Sequence, residues 1–246
     1  MNNEDINPLE TYTIPSNVTK ISDYCFANCE DLSEIGGLEN IKEFGKGCFF
    51  NCPKVKNISK EMMKYYEPKT EYGMISRFQK EQLEEWTGLK CGEILFDSEK
   101  DDWSIDTSVF NEQIIGKKQL TFMIEEWEGE IFGYYLNTEI VEKYYKTQET
   151  DSETFHFNLQ SKNNRLPKPM KYEIKNLNEG GIMMFEATEY HLISFGNIGI
   201  DKKNRKNRNK SLCNENEKEF DNHGIEYALC GKFYFIPKRI TVIQMK

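Results

Sequence analysis

Long apolar runs are missing from this sequence. The longest, such as Gly181–Phe185, cover about five residues, whereas a helix that crosses a membrane needs roughly 20. Met1 to Glu10 holds no cationic segment followed by an apolar stretch, so no secretory leader is expected. A basic excess is missing too: 32 Lys and Arg stand against 41 Asp and Glu, a net charge of −9. Nucleic-acid affinity comes largely from neutralised phosphates, so nucleic acid is not an expected partner. Gly-rich phosphate loops are absent, because Gly180-Gly181 and Gly196 lack the strand–Gly-x-Gly–helix setting. No nucleotide or other cofactor is expected. Histidine is scarce, with His156, His191 and His223 alone. The seven cysteines are an odd number without a leader, which points to reduced thiols and a cytoplasmic setting.

Apolar side chains are nevertheless plentiful. Hydrophobic residues make up 38% and aromatics 13%, enough to build a core and to exclude global disorder. Sliding the sequence by 23 brings it onto itself. Val18 falls on Ile41, Ile21 on Phe44, Cys25 on Cys48 and Phe26 on Phe49. Asn28 falls on Asn51, Cys29 on Cys52, Leu32 on Val55 and Ile35 on Ile58. This is the rhythm of a solenoid coil: a short apolar strand, then a turn with a buried Phe and small residues that stack on the next coil. With its Ile14-Pro15 lead-in and Val18-Thr-Lys-Ile21 strand, the pattern resembles the BspA-type leucine-rich repeat. Two full units are visible, and solenoids usually need three or more to bury their faces.

Beyond the repeats, Ser59 is predicted to cap a short helical turn through Met62, Met63 and Tyr66, stopped by Pro68. Ile75, Phe78, Gln82, Leu83 and Trp86 recur at helical spacing, and Gly88 follows as a stop signal. From Cys91 the pattern alternates. Strands are predicted at Ile94–Phe96, Leu120–Ile124, Ile131–Leu136, Thr154–Gln160, Tyr172–Ile174, Gly181–Phe185, His191–Phe195, Lys232–Ile236 and Ile240–Met245. Glu128-Gly129 reads as a hairpin turn. The expected layout is a repeat segment at 1–58, a helical connector at 59–90 and a strand-rich domain at 91–246, with the domain boundary near residue 70.

The strand-rich part resembles the TLDc (TLD) domain family. Ile94-Leu95-Phe96-Asp97-Ser98, Asp102-Trp103-Ser104 and Val109-Phe110 resemble its opening strand, loop and helix. Leu120–Glu125 with Gly129-Glu130-Ile131-Phe132-Gly133-Tyr134 resembles its hairpin. Phe155-His156-Phe157, Ile193-Ser194-Phe195-Gly196, Ser211-Leu212-Cys213 and Ile240–Met245 follow in order. Asn197-Ile198 replaces the usual glycine run, and Val242–Met245 the usual closing residues, as in a divergent branch of the family. The resemblance implies an α+β fold, an antiparallel two-sheet β-sandwich with flanking helices. It further implies a non-enzymatic role tied to oxidative stress resistance, with a vacuolar-type proton ATPase subunit as candidate partner.

Four features invite chemistry. Cys25, Cys29, Cys48 and Cys52 have the spacing of a zinc site, but they occupy repeat positions among apolar ones, so packed cysteine ladders are the preferred reading and no metal is expected. Cys213 and His223 are considered as a thiol–base pair and set aside, with His156 placed on the solvent face of its strand. Glu125, Glu126, Glu128 and Glu130 read as an exposed charged turn. Lys202, Lys203, Arg205, Lys206, Arg208 and Lys210 form a basic run without interleaved aromatics, the candidate contact patch for an acidic protein surface. A protein-binding, regulatory role is therefore expected. Two alternatives stand beside it: a thiol-dependent antioxidant or redox enzyme using Cys91, Cys213 or Cys230, and a leucine-rich-repeat recognition or adhesion module.

Overall fold

A computed structural model describes residues 11–27, 29, 31–45, 47–49, 52, 54–57, 70–161, 165–166, 168–178, 180–196, 198–203, 211–213 and 220–246. The predicted turn through Ser59, Met62, Met63 and Tyr66 lies outside them, as do Asn28, Asn51 and Ile58. The chain divides into two compact units, Met1–Gln79 and Lys80–Lys246.

In the first unit, β1 (Thr11–Thr13) runs parallel to β3 (Glu34–Gly36), and β2 (Lys20–Ile21) runs parallel to β4 (Glu43–Phe44). Both ladders have the register of the sequence repeat: Thr11 faces Glu34 and Lys20 faces Glu43, each 23 residues on. Each coil thus hydrogen-bonds to its own copy. Ile14, Ile21, Leu32, Ile35, Leu38, Cys48, Phe49, Cys52 and Val55 form the buried core. Phe26 stacks on Phe49, 23 residues on, at 5.9 Å between ring centroids, and Tyr12 lies edge-on to Phe26 at 5.5 Å. Successive coils come so close that a Cβ at Gly45 would lie 2.3 Å from the Asp23 nitrogen, so only glycine fits there. The Asn57 side chain extends the stack. Its amide accepts from Ile35 N–H at 3.1 Å and donates to Ile35 C=O at 2.6 Å, as a neighbouring strand would.

Helix α1 (Arg77–Thr87) is where helical spacing placed it. A reciprocal capping pair starts it: Ser76 N–H donates to Gln79 Oε1 at 2.8 Å, and Gln79 N–H donates to Ser76 Oγ at 3.3 Å. Gly88 ends it with a left-handed φ of 70°.

The second unit is mostly strand. One sheet has the order β5 (Cys91–Asp97), β15 (Pro237–Met245), β6 (Leu120–Glu126), β7 (Ile131–Leu136), β8 (Phe155–Gln160), β9 (Met170–Glu173). The other runs β10 (Ile182–Met184), β11 (His191–Phe195), β12 (Ile198–Asp201), β13 (Ser211–Cys213), β14 (Tyr234–Phe235). All pairings in both sheets are antiparallel. One core joins them: Phe122 and Tyr134 of the first sheet meet Phe195 of the second at 5.0 and 4.8 Å, and Phe132 meets Phe235 at 5.1 Å. Helix α2 (Val109–Ile114) adds Phe110, edge-on to Phe96 at 4.9 Å. Gly133 lies beneath the Phe157 ring, and a Cβ there would fall 2.0 Å from the Phe122 carbonyl oxygen. That approach explains the Phe-Gly pair of the hairpin.

Several expectations change here. Strands β12 and β13 went unpredicted, and the predicted strands at 181–185 and 232–236 shrink to β10 and β14. His156 is not on a solvent face. It is 1% exposed, between the Tyr134 and Phe220 rings at 4.9 and 4.8 Å. The physical reason is that β8 is covered on both sides. Phe155 and Phe157 pack on Trp86, at 6.2 and 6.4 Å, so His156 and Asn158 must point into the core between the sheets.

Candidate interaction surfaces

The repeat unit presents a polar outer face on an apolar interior. Thr11, Tyr12, Thr13, Thr19, Lys20, Glu34, Lys42 and Glu43 are exposed, while the alternating positions Ile14, Ile21 and Ile35 are buried. Charges stack across coils as the apolar groups do. Lys20 pairs with Glu43 at 2.8 Å, and Lys54 with Asp31 at 2.6 Å. Such solvent-exposed pairs add little stability, but they fix a charge pattern on a rigid ladder. Tyr12, 40% exposed, gives this face an aromatic contact point.

The cysteines follow the repeat, with a gradient along the stack. Cys48 and Cys52 are fully buried, Cys29 is half-buried and Cys25 is exposed. Cys25 is therefore not a core residue, a correction to the packed-ladder reading. Its coil is flanked by a described coil on one side only, whereas Cys48 is enclosed. Burial pushes the Cys48 thiol up to about 12. Among the described residues, no three metal-ligating side chains cluster.

In the second unit, Cys213 is buried on β13, whereas His223 lies exposed on a loop beside Asp221 at 3.7 Å and the Tyr172 ring at 5.8 Å. Cys230 is also buried, its thiol donating to the Lys232 carbonyl at 2.9 Å. Cys91 is half-buried.

The acidic turn is corrected as well. Only Glu128 is exposed; Glu125, Glu126 and Glu130 are buried at 7%, 2% and 5%. Each has a cation from far along the chain: Lys238 on Glu125 at 2.7 Å, Lys232 on Glu126 at 2.5 Å and Arg165 on Glu130 at 2.9 Å. Asn158 also donates to Glu130, at 3.1 Å, and the other guanidinium nitrogen of Arg165 ties down the carbonyls of Tyr227 and Ala228. These carboxylates lock loops. A further buried lock joins the edge of the first sheet, where Arg239 grips Asp97 with two bonds of 3.0 and 2.7 Å. Burial works against the Asp97 charge, but Arg239 and the neighbouring donors outweigh it and hold the carboxyl below its ordinary range.

Of the basic run, Lys203 is exposed. Lys202 is not, a correction to the predicted patch. It is 3% exposed, and its ammonium donates to the carbonyls of Glu186 and Ala187 at 3.1 and 2.6 Å. Its long apolar stem follows the alternation of β12 inward while the head meets backbone oxygens. Arg205, Lys206, Arg208 and Lys210 lie outside the described residues. Exposed aromatics nearby were not singled out from sequence. Tyr190 is 63% exposed, and Tyr145 bonds Glu189 at 3.3 Å. Trp127, at the β6–β7 turn, is 66% exposed. The positive signal available was an aromatic inside a polar turn. An open groove of about 340 Å³ at the end of α1 is lined by Glu81, Glu84, Glu85, Gly88, Leu89 and Lys90, with neither thiol nor imidazole.

No helix among the described residues is long and apolar enough to cross a membrane. Residues 4–70 match the family model of the BspA type Leucine rich repeat region (6 copies). No curated protein matches the chain. The match brackets the two parallel ladders, whose register repeats the 23-residue step of the sequence.

Proposed function

We propose that this protein acts by protein–protein contact without catalysis, and that the outer face of the repeat region is its recognition surface. The observation that carries this is the shared step of 23 in sequence and in strand register. It holds Tyr12, Lys20, Glu34 and Glu43 at fixed spacing on a stiff ladder, so a partner meets a surface already ordered. The second unit, in this reading, is a TLDc-type two-sheet sandwich, and the candidate partner is a subunit of a vacuolar-type proton ATPase in the cytoplasm. Support for that finer reading comes from the order of the resembling blocks. They fall in turn on β5, the β6–β7 hairpin, β8, β11, β13 and β15. Seven free thiols suit a reducing compartment.

The test is binding of purified pump subunits to the full chain, measured by titration. Saturable binding is expected, weakened about tenfold, or 1.4 kcal/mol, by Tyr12→Ala combined with Lys20→Glu. Absence of binding by every subunit ends the pump proposal. Binding untouched by the double variant ends the assignment of recognition to the repeat face.

A further inference from the structure

The repeat lays two thiols side by side in the first unit. Cys29 and Cys52 hold the same position on successive coils, and the side chains on both flanks are in register. Phe26 stacks on Phe49 at 5.9 Å on one flank, and Asp31 reaches Lys54 at 2.6 Å on the other. The backbone is tied across the same step, with Phe26 N–H donating to the Cys48 carbonyl at 2.9 Å and the Cys52 thiol donating to the Phe26 carbonyl at 2.8 Å. The same Phe26 carbonyl also accepts from the Cys29 N–H at 3.3 Å, so both cysteines converge on one backbone oxygen. One is half-buried, so reagent can reach it, and the other is enclosed.

We propose that Cys29 and Cys52 are an oxidative modification site, a dithiol that hydrogen peroxide converts to a disulfide stapling two coils of the repeat. Cys29, the accessible member, attacks the peroxide as thiolate. Its sulfur bonds to one oxygen, the O–O bond breaks, and hydroxide leaves. Cys52 then attacks the sulfenic sulfur of Cys29. The S–S bond forms, the S–OH bond breaks, and the Cys52 proton and the departing hydroxide leave as water. Two thiols lose two electrons, and one peroxide yields two waters.

The electrostatics agree with this division of roles. The influence of neighbouring Cys52 outweighs burial and lowers the Cys29 thiol to about 7, while the Cys52 thiol is pushed up. A thiol near neutral pH holds a useful thiolate fraction and remains nucleophilic. The other same-position pair is Cys25 and Cys48, the first exposed and the second enclosed. The site is independent of the recognition face proposed above, and it differs from Cys91, Cys213 and Cys230, the thiols considered for redox work from sequence.

The test treats the reduced full chain with hydrogen peroxide at neutral pH and maps the products by mass spectrometry with fragmentation. The expected result is loss of two hydrogen masses, a cross-link between Cys29 and Cys52, and full reversal by dithiothreitol. Cys29→Ser is expected to abolish the cross-link, and Cys25→Ser to leave it in place. Mapping on the unmodified sequence decides the matter even where a variant folds poorly. Three outcomes overturn the proposal: no disulfide, a Cys25–Cys48 bond forming at least as fast, or Cys29 passing to sulfinic acid with Cys52 unchanged.

Discussion

A neutral imidazole sits inside the core of the second unit. His156 is enclosed by Tyr134 and Phe220, and burial lowers its pKa from the ordinary 6.5 to about 3. The unfolded chain therefore takes up a proton below pH 6.5, while the folded chain does not until near pH 3. Stability falls across that window by about 1.4 kcal/mol for each pH unit. Asp97 adds a loss lower down, because its folded pKa lies under the ordinary 3.8 and its contribution goes as it protonates. Urea unfolding at pH 7 and pH 5 checks the histidine directly. His156→Leu is expected to remove about 2 kcal/mol of the pH-dependent loss seen in the parent chain. Equal losses in both proteins would mean that the imidazole is solvated. Sequence alone put this residue outside, since alternation separates two faces without saying which is covered. The buried glutamates failed for a related reason. Their cations Lys238 and Lys232 lie 113 and 106 residues away, and no local pattern reveals such pairing.

Elements built on local chemistry were the legible ones. The 23-residue step was visible because a solenoid makes the same contacts in every coil, so each coil repeats the same side chains. The β6–β7 hairpin was visible because its turn needs Gly129, at a φ of 100°, between two alternating runs. Short strands such as β13, three residues long, carry too few alternations to stand out. Helix α1 was placed by its apolar spacing, yet its start is fixed by a different signal, the Ser76–Gln79 pair. Ser76→Ala is expected to cost about 1 kcal/mol, and Gln79→Ala to cost less while leaving the serine contact in place. Chemical denaturation with circular dichroism at 222 nm measures both. A change within error for Ser76→Ala would show that packing alone sets the start of the helix.

On the scale of the whole molecule, the chain joins a repeat region with exposed, ordered polar ladders to a strand-rich unit whose buried charges are spent on holding loops. The described ionisable groups with partners are mostly structural, and the thiols first considered for chemistry are largely enclosed. The net charge of −9 favours partners with basic surfaces. Among the described residues, the outward positions of β1, β2, β3 and β4 offer the most regular array of exposed side chains. The claim that these ladders make the contact is tested most directly by hydrogen–deuterium exchange on the full chain, with and without a bound protein partner. Protection is predicted to appear at Thr11–Thr13, Lys20–Ile21, Glu34–Gly36 and Glu43–Phe44. Protection confined to Lys80–Lys246, with these strands exchanging as in the free chain, would contradict it.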